Sequence, residues 1–279
     1  MQFGISTQLY HAHRLRRGHL AEIAAHGFGA VEIIATRSHL DYHDPAALDA
    51  VADWLTGEGL RLRSLHAPVM ERFDGTWINP LSIASTDDAA REQAVGEIGA
   101  ALELARRVPL STMIVHPGLQ DTLLSASVQN SRDAALRSVE EIVALASPLG
   151  VRVALEVIPT AMATADALAE LLDELDMPEV GVCLDFGHAH MQGDVVDAIE
   201  TLSGVLIATH VHDNHGRRDE HLAPFEGTID WTAAVTALQK IGYDGTMMLE
   251  IAGADGAVPA LERARRAAAR LEDEAWSWT

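Results

Sequence analysis

Residues 181–188 read Gly-Val-Cys-Leu-Asp-Phe-Gly-His, an apolar run that closes on a carboxylate and is followed at once by glycine and histidine. The neighbouring runs are built alike: Val151–Val157 is Val-Arg-Val-Ala-Leu-Glu-Val, and Val205–Val211 is Val-Leu-Ile-Ala-Thr-His-Val with His212 directly after it. Each is short and β-branched, as a buried strand requires, and each is separated from the next by apolar side chains at helical spacing. Working outward, the same alternation covers the chain. Further strands are expected at Phe3–Ser6, Ala30–Ile34, Leu62–His66, Thr112–His116, Gly181–Phe186 and Thr246–Ile251. Helical patterns follow, clearest at Asp87–Arg107, where Ser85 or Thr86 is the expected N-cap. Asp133–Ala146, Ala165–Leu175, Trp231–Ile241 and Pro259–Ala275 have similar spacing. Eight strands in strict alternation with helices predict an α/β fold, the (β/α)8 TIM barrel, with a doubly wound open sheet as the competing arrangement. No Pro/Ser-rich linker divides the chain, so residues 1–279 are expected to form a single TIM-barrel domain.

Composition narrows the function. The chain carries 20 basic and 41 acidic residues, a formal charge of −21. Such a surface repels polyphosphate, which disfavours nucleic acid and anionic membranes as partners. Lys240 is the sole lysine and sits late in a helical pattern, so Schiff-base chemistry has almost no candidate. Cys183 is the sole cysteine, which excludes an intrachain disulfide and a thiolate metal cluster. No apolar run approaches the roughly 18 residues of a membrane span, and no basic leader precedes the first strand, so a cytoplasmic protein is expected. Whether copies assemble into a homo-oligomer is left open.

The strand ends carry the chemistry. His66, His116, Glu156, Asp185, His212 and Glu250 close six of the eight expected strands. In a barrel those ends converge on one pocket, where bare carboxylates repel one another unless a cation lies between them. Two long non-helical stretches, Ala67–Thr86 and Asp213–Ile229, follow strands and are placed to build the rim of that pocket. His210 shares a face with His212 but lies deeper, and reads as a core histidine supporting the site. His11, His13, His39 and His43 read as surface or pocket-mouth residues, and His190 and His215 as loop residues. Glu170, Asp173 and Glu174 read as a solvated helix face.

Taken in order, Leu65-His66-Ala67-Pro68, Val115-His116-Pro117-Gly118, Leu155-Glu156, Cys183-Leu184-Asp185-Phe186-Gly187-His188-Ala189, His212-Asp213-Asn214, Asp219-Glu220-His221, Gly227-Thr228-Ile229-Asp230-Trp231 and Leu249-Glu250 resemble the xylose isomerase-like TIM barrels. The resemblance spans the chain. Its epimerase branch implies that Glu156, Asp185, His212 and Glu250 hold one Mn²⁺ or similar ion, that Glu156 and Glu250 act as acid and base, and that His188 and Arg217 bind substrate oxygens. Its endonuclease IV branch implies a larger ligand set, with His66, His116, His188, Asp219 and His221 added around three zinc ions. All nine ligand types are present, so the expected cofactor is one to three divalent ions, Zn²⁺ or Mn²⁺, with Mg²⁺ as a further option.

Three readings follow. An isomerase or epimerase of a small sugar, sugar phosphate or polyol would move a proton next to a carbonyl, with the cation stabilising the enediolate. A zinc phosphoesterase of the endonuclease IV type would activate water, though the acidic charge disfavours DNA and only Met70 and Phe73 offer wedges for a duplex. A non-catalytic sugar or metal sensor would bind without turnover.

Overall fold

The computed structural model describes residues 1–73, 76–124 and 129–276. Its strands are β1 (Gln2–Ser6), β2 (Ala30–Ile34), β3 (Arg61–His66), β4 (Met70–Phe73), β5 (Thr76–Pro80), β6 (Thr112–Val115), β7 (Arg152–Glu156), β8 (Val180–Asp185), β9 (Leu206–Val211) and β10 (Thr246–Leu249). The helices are α1 (Arg17–Ala25), α2 (Pro45–Gly57), α3 (Asp88–Leu102), α4 (Arg132–Ala146), α5 (Ala165–Leu175), α6 (Phe186–Gln192), α7 (Val195–Thr201), α8 (Trp231–Lys240) and α9 (Ala257–Trp276). Eight strands close in the order β1-β10-β9-β8-β7-β6-β3-β2, and every pairing within that sheet is parallel. The expected (β/α)8 barrel is therefore the observed fold, not an open sheet.

Local departures have local causes. β8 stops at Asp185, one residue short of the expected end, because the Asp185 carboxylate accepts from the His188 backbone N–H at 2.7 Å and caps α6. The cap of α3 is Asp87, which accepts from the Ala90 N–H at 2.9 Å. Ser85 lies outside the helix and accepts from the Asp87 N–H instead, so neither Ser85 nor Thr86 is the cap. The stretch after β3 is not all loop, since β4 and β5 pair there as an antiparallel hairpin. The Phe73 side chain, one of the two wedges considered for a duplex, lies outside the described residues.

The outer faces of the strands and the inner faces of the helices form the apolar core, where Leu20, Ile23, Leu55, Leu65, Ile98 and Trp231 are buried. Each such side chain contributes about 1.5–3 kcal/mol by leaving water. Barrel interiors are normally filled by branched apolar residues. Here Ile114, Ala154 and Cys183 form only a small apolar patch, and Ser6, Glu32, Ser64 and His210 are buried alongside it. Strand alternation then places His66, His116, Glu156, Asp185, His212 and Glu250 at or just beyond the C-terminal strand ends.

Candidate metal centre

Glu156, Asp185, His212 and Glu250 are nearly inaccessible, at 1%, 0%, 0% and 4% exposure. Ligand-capable atoms of Glu156, Asp185, His210 and Glu250 lie within 4.8 Å of one another, as do those of three further groups: His66/His116/Glu156, Asp185/His188/His212 and His212/His221/Glu250. The fourfold group thus contains His210 where the sequence pointed to His212. His212 instead joins the two groups on the other side of Asp185 and Glu250.

Hydrogen bonds decide which of these nitrogens are free. His210 points Nε2 at Glu32 Oε2 and Nδ1 at Glu156 Oε1, both at 3.0 Å, so each nitrogen already has a carboxylate partner. His212 Nε2 contacts Asp185 at 2.9 and 3.0 Å, while its Nδ1 is buried without a hydrogen bond. Three more histidines are arranged as metal-binding imidazoles usually are, with one N–H fixed on a backbone carbonyl and the other nitrogen turned to the site. His66 Nδ1 is tied to Ala67 O at 2.9 Å, His188 Nδ1 to Val157 O at 3.0 Å and His221 Nδ1 to Glu250 O at 2.9 Å. Their Nε2 atoms approach Glu156 Oε2 at 3.2 Å, Asp219 Oδ2 at 3.2 Å and Asp219 Oδ2 at 3.1 Å.

Glu156 Oε2 provides the sharpest test of fit. His66 and His116 stand 3.2 and 3.0 Å from it, yet neither contact has hydrogen-bond geometry and the atom is buried without a bond. Buried polar atoms are seldom left unpaired. Three lone-pair donors aimed past one another around a common space could hold a cation, and the donor set fits a divalent ion of the Zn²⁺ or Mn²⁺ type. Gly187 is shaped to the same end: a Cβ there would lie 2.0 Å from His212 Cε1, so the ring occupies the space a side chain would fill.

His66, His116, Glu156, His188, Asp219, His221 and Glu250 line a cavity of about 150 Å³ together with Gln8, His11, Thr36 and Gln120, while Asp185 and His212 lie behind that lining. Met70, from the hairpin, lines it as well. A second cavity, about 160 Å³, opens at the other end of the barrel beneath Glu32 and contains none of the strand-end ligands. Asp219 and His221 reach the first cavity on the loop after β9. That loop is fixed by Asp213, whose carboxylate accepts from the N–H groups of Asn214, Phe225 and Ile229 and from Trp231 Nε1 at 2.8–3.2 Å. Arg217 is exposed on this loop, outside the residues that line the cavity.

The sequence matches the xylose isomerase-like TIM barrel family over residues 20–274. The chain belongs to that family. An uncharacterized protein of Methanocaldococcus jannaschii is 30% identical over 90% of this chain and 83% of its own length. The crystal structure of a D-tagatose 3-epimerase-like protein superposes with a TM-score of 0.80 at 28% identity, covering 98% of this chain and 97% of that one. The structure of IOLI protein with a binding zinc atom superposes with a TM-score of 0.80 at 18% identity, covering 99% and 100%.

In this xylose isomerase-like barrel, protons balance the carboxylates of the protein alone. Burial opposes charge on His66, His188 and His221, but neighbouring carboxylates outweigh it. Glu156 carries His66 up to about 9, Asp185 and Asp219 carry His188 to about 10, and Asp219 carries His221 to about 9. For His116 burial wins over the attraction of Glu156, and its pKa is lowered. Burial raises the carboxyls of Glu156 and Asp185, yet His210 and His116 pull the first down, and His188 and His212 the second. A divalent ion would displace the histidine protons, so metal binding should release protons. Glu32, on β2, is absent from the set of site residues read from the sequence. A charged residue in the middle of Ala-Val-Glu-Ile-Ile was the available signal.

Proposed function

We propose that the chain is a divalent-metal-dependent isomerase or epimerase acting on a small sugar or polyol by proton transfer next to a carbonyl. One observation carries this reading: two buried glutamates from β7 and β10 converge on one cavity, and Glu156 leaves an oxygen there with no hydrogen bond. The Glu156 carboxylate faces the cavity, where it can take a proton from a carbon acid, and Glu250 is the partner that can return one. The bound ion would be held by Glu156, Asp185, His212 and Glu250 and would stabilise negative charge on the substrate's oxygens. His188 lines the cavity where its Nε2, now against Asp219, could turn to a substrate hydroxyl, and Gln8, Thr36 and Gln120 offer uncharged partners in the same lining. The D-tagatose 3-epimerase-like neighbour supports this class of reaction, and the zinc of the IOLI structure supports the metal.

Incubating the metal-loaded enzyme with a panel of ketoses, aldoses and cyclic polyol ketones in deuterated water tests the reading. Solvent deuterium should enter the carbon beside the carbonyl. Glu156→Gln and Glu250→Gln, with metal content measured in parallel, should abolish turnover. The three additional ligand groups favour a second reading, a multi-zinc phosphoesterase on a small ester. If crystals grown with Zn²⁺ hold several ions at nitrogen distances of about 2.0–2.1 Å, and an ester turns over while no polyol exchanges, the second reading replaces the first.

A further inference from the structure

We propose that Glu32 is a positioning residue for the metal centre: through His210 it holds Oε1 of Glu156 and thereby leaves Oε2 as the oxygen that serves the cavity. The inference rests on the reading of Glu156 as a metal ligand and base. Glu32 is fully buried in the middle of β2, where a branched apolar residue would be ordinary. An ionised carboxylate survives there only if its oxygens are satisfied. Ser6 Oγ donates to Oε1 at 3.0 Å, Ser64 Oγ donates to Oε2 at 2.7 Å, and His210 Nε2 meets Oε2 at 3.0 Å. These partners come from β1, β3 and, across the barrel, β9, so the carboxylate is fixed from three strands.

Carboxylates at this site can only accept, so the ring of His210 donates from both nitrogens. Nδ1 reaches Glu156 Oε1 at 3.0 Å and Glu250 Oε2 at 3.2 Å. A ring held at both ends cannot turn, and it distinguishes the two oxygens of Glu156. Oε1 is engaged from below, while Oε2 faces His66 and His116 without a hydrogen bond. Buried ion pairs are often no more stabilising than apolar residues of the same volume. Stability alone is therefore a poor reason for this polar column, whereas aiming one oxygen of a ligand is a sufficient one.

Calorimetric titration with Mn²⁺ of wild type, Glu32→Gln and Ser138→Ala, with crystal structures of the Mn²⁺-loaded proteins, decides the matter. Disturbing an outer partner of a metal ligand typically weakens affinity about 10–100-fold, and Glu32→Gln should fall in that range with the Glu156 carboxylate rotated. Ser138→Ala removes a buried hydroxyl on α4 that bonds Ile83 O and Arg91, far from this column, so it should lower thermal stability while keeping wild-type affinity. Wild-type affinity in a folded Glu32→Gln overturns the proposal. So does a loss of affinity that follows lost stability in both variants, because that describes a purely structural role. His210 Nδ1 bonded to Mn²⁺ in the wild-type crystal would make the histidine a ligand, not a clamp, and overturns it too. Should Glu32→Gln not fold, Glu32→Asp retains the charge but withdraws it from His210, and the same outcomes apply. A wild-type protein that binds neither Mn²⁺ nor Zn²⁺ refutes the proposed function itself, which separates that failure from this one.

Discussion

Replacing Gly187 by alanine should empty the metal centre while leaving the barrel folded. A Cβ at this position would lie 2.0 Å from Cε1, 2.4 Å from Nδ1 and 2.8 Å from Nε2 of His212. Unbonded carbons rest about 3.5–4.0 Å apart, so the ring must retreat by roughly 1.5–2 Å. Metal–ligand distances tolerate only about ±0.2 Å, and His212 would be lost as a ligand. The expected affinity loss for Mn²⁺ or Zn²⁺ exceeds about 100-fold, the upper figure for disturbing a mere outer partner. The barrel should stay folded with a net loss of no more than about 3 kcal/mol. Crowding a packed site costs about 1–3 kcal/mol, and alanine returns up to about 1 kcal/mol as a better residue than glycine inside α6. Gly18→Ala is the control, because a Cβ in that helix meets no atom within 4 Å. It should raise the melting temperature slightly and leave affinity alone. Calorimetric titration and scanning calorimetry on the three proteins provide both numbers. Wild-type affinity in Gly187→Ala would show that His212 does not coordinate the ion, and the ligand assignment would fall with it.

Two further perturbations probe the surroundings. Asp213→Ala strands four donors that now share one carboxylate. At about 1–3 kcal/mol for each unsatisfied buried group, the loss should reach at least about 4 kcal/mol, or roughly 7 °C in melting temperature for a chain of this length. Asp219 and His221 should lose their place as well, which elemental analysis would register as less zinc per chain; an unchanged melting point and zinc count would refute the anchoring role. His39 tests pH dependence away from the ligands: burial lowers its pKa to about 4, more than its backbone hydrogen bond to His13 raises it. The unfolded chain takes up this proton first, near pH 6.5, so the stability contribution is complete above about 6.5 and is lost as pH falls toward 4. The shift corresponds to about 3 kcal/mol, and His39→Gln should flatten the stability–pH curve between those limits. Denaturant titrations that run parallel for both proteins would contradict it.

The barrel was legible in the sequence because its strands are short apolar runs ending in polar residues, a pattern that survives without knowledge of contacts. The cluster was legible for the same reason, since parallel strands that end in acids and histidines must bring those ends together. Depth along the strand pointed to His210 as the supporting histidine and His212 as the ligand, but what holds His210 was not legible that way. Both point along one face, and the hydrogen bonds that His210 donates to Glu32 and Glu156 separate the engaged imidazole from the one with a free Nδ1. Glu32 escaped for a related reason: its partners Ser64 and His210 are 32 and 178 residues away, and no local pattern announces such pairings. The α3 cap was misplaced because Ser85, Thr86 and Asp87 are all good cap residues, and geometry selected the last.

The column from Glu32 to His210 also bears on how the chain folds. A (β/α)8 barrel invites division into halves, and a cut between α4 and β7 would separate β1, β2, β3 and β6 from β7–β10. Here that cut leaves Glu32 and Ser64 in one fragment and His210 with Glu156 in the other. Each fragment would bury half of an ionic network with no counterpart, so neither should persist as a compact species. Mixed together, the fragments should acquire structure only on association, in one concerted transition.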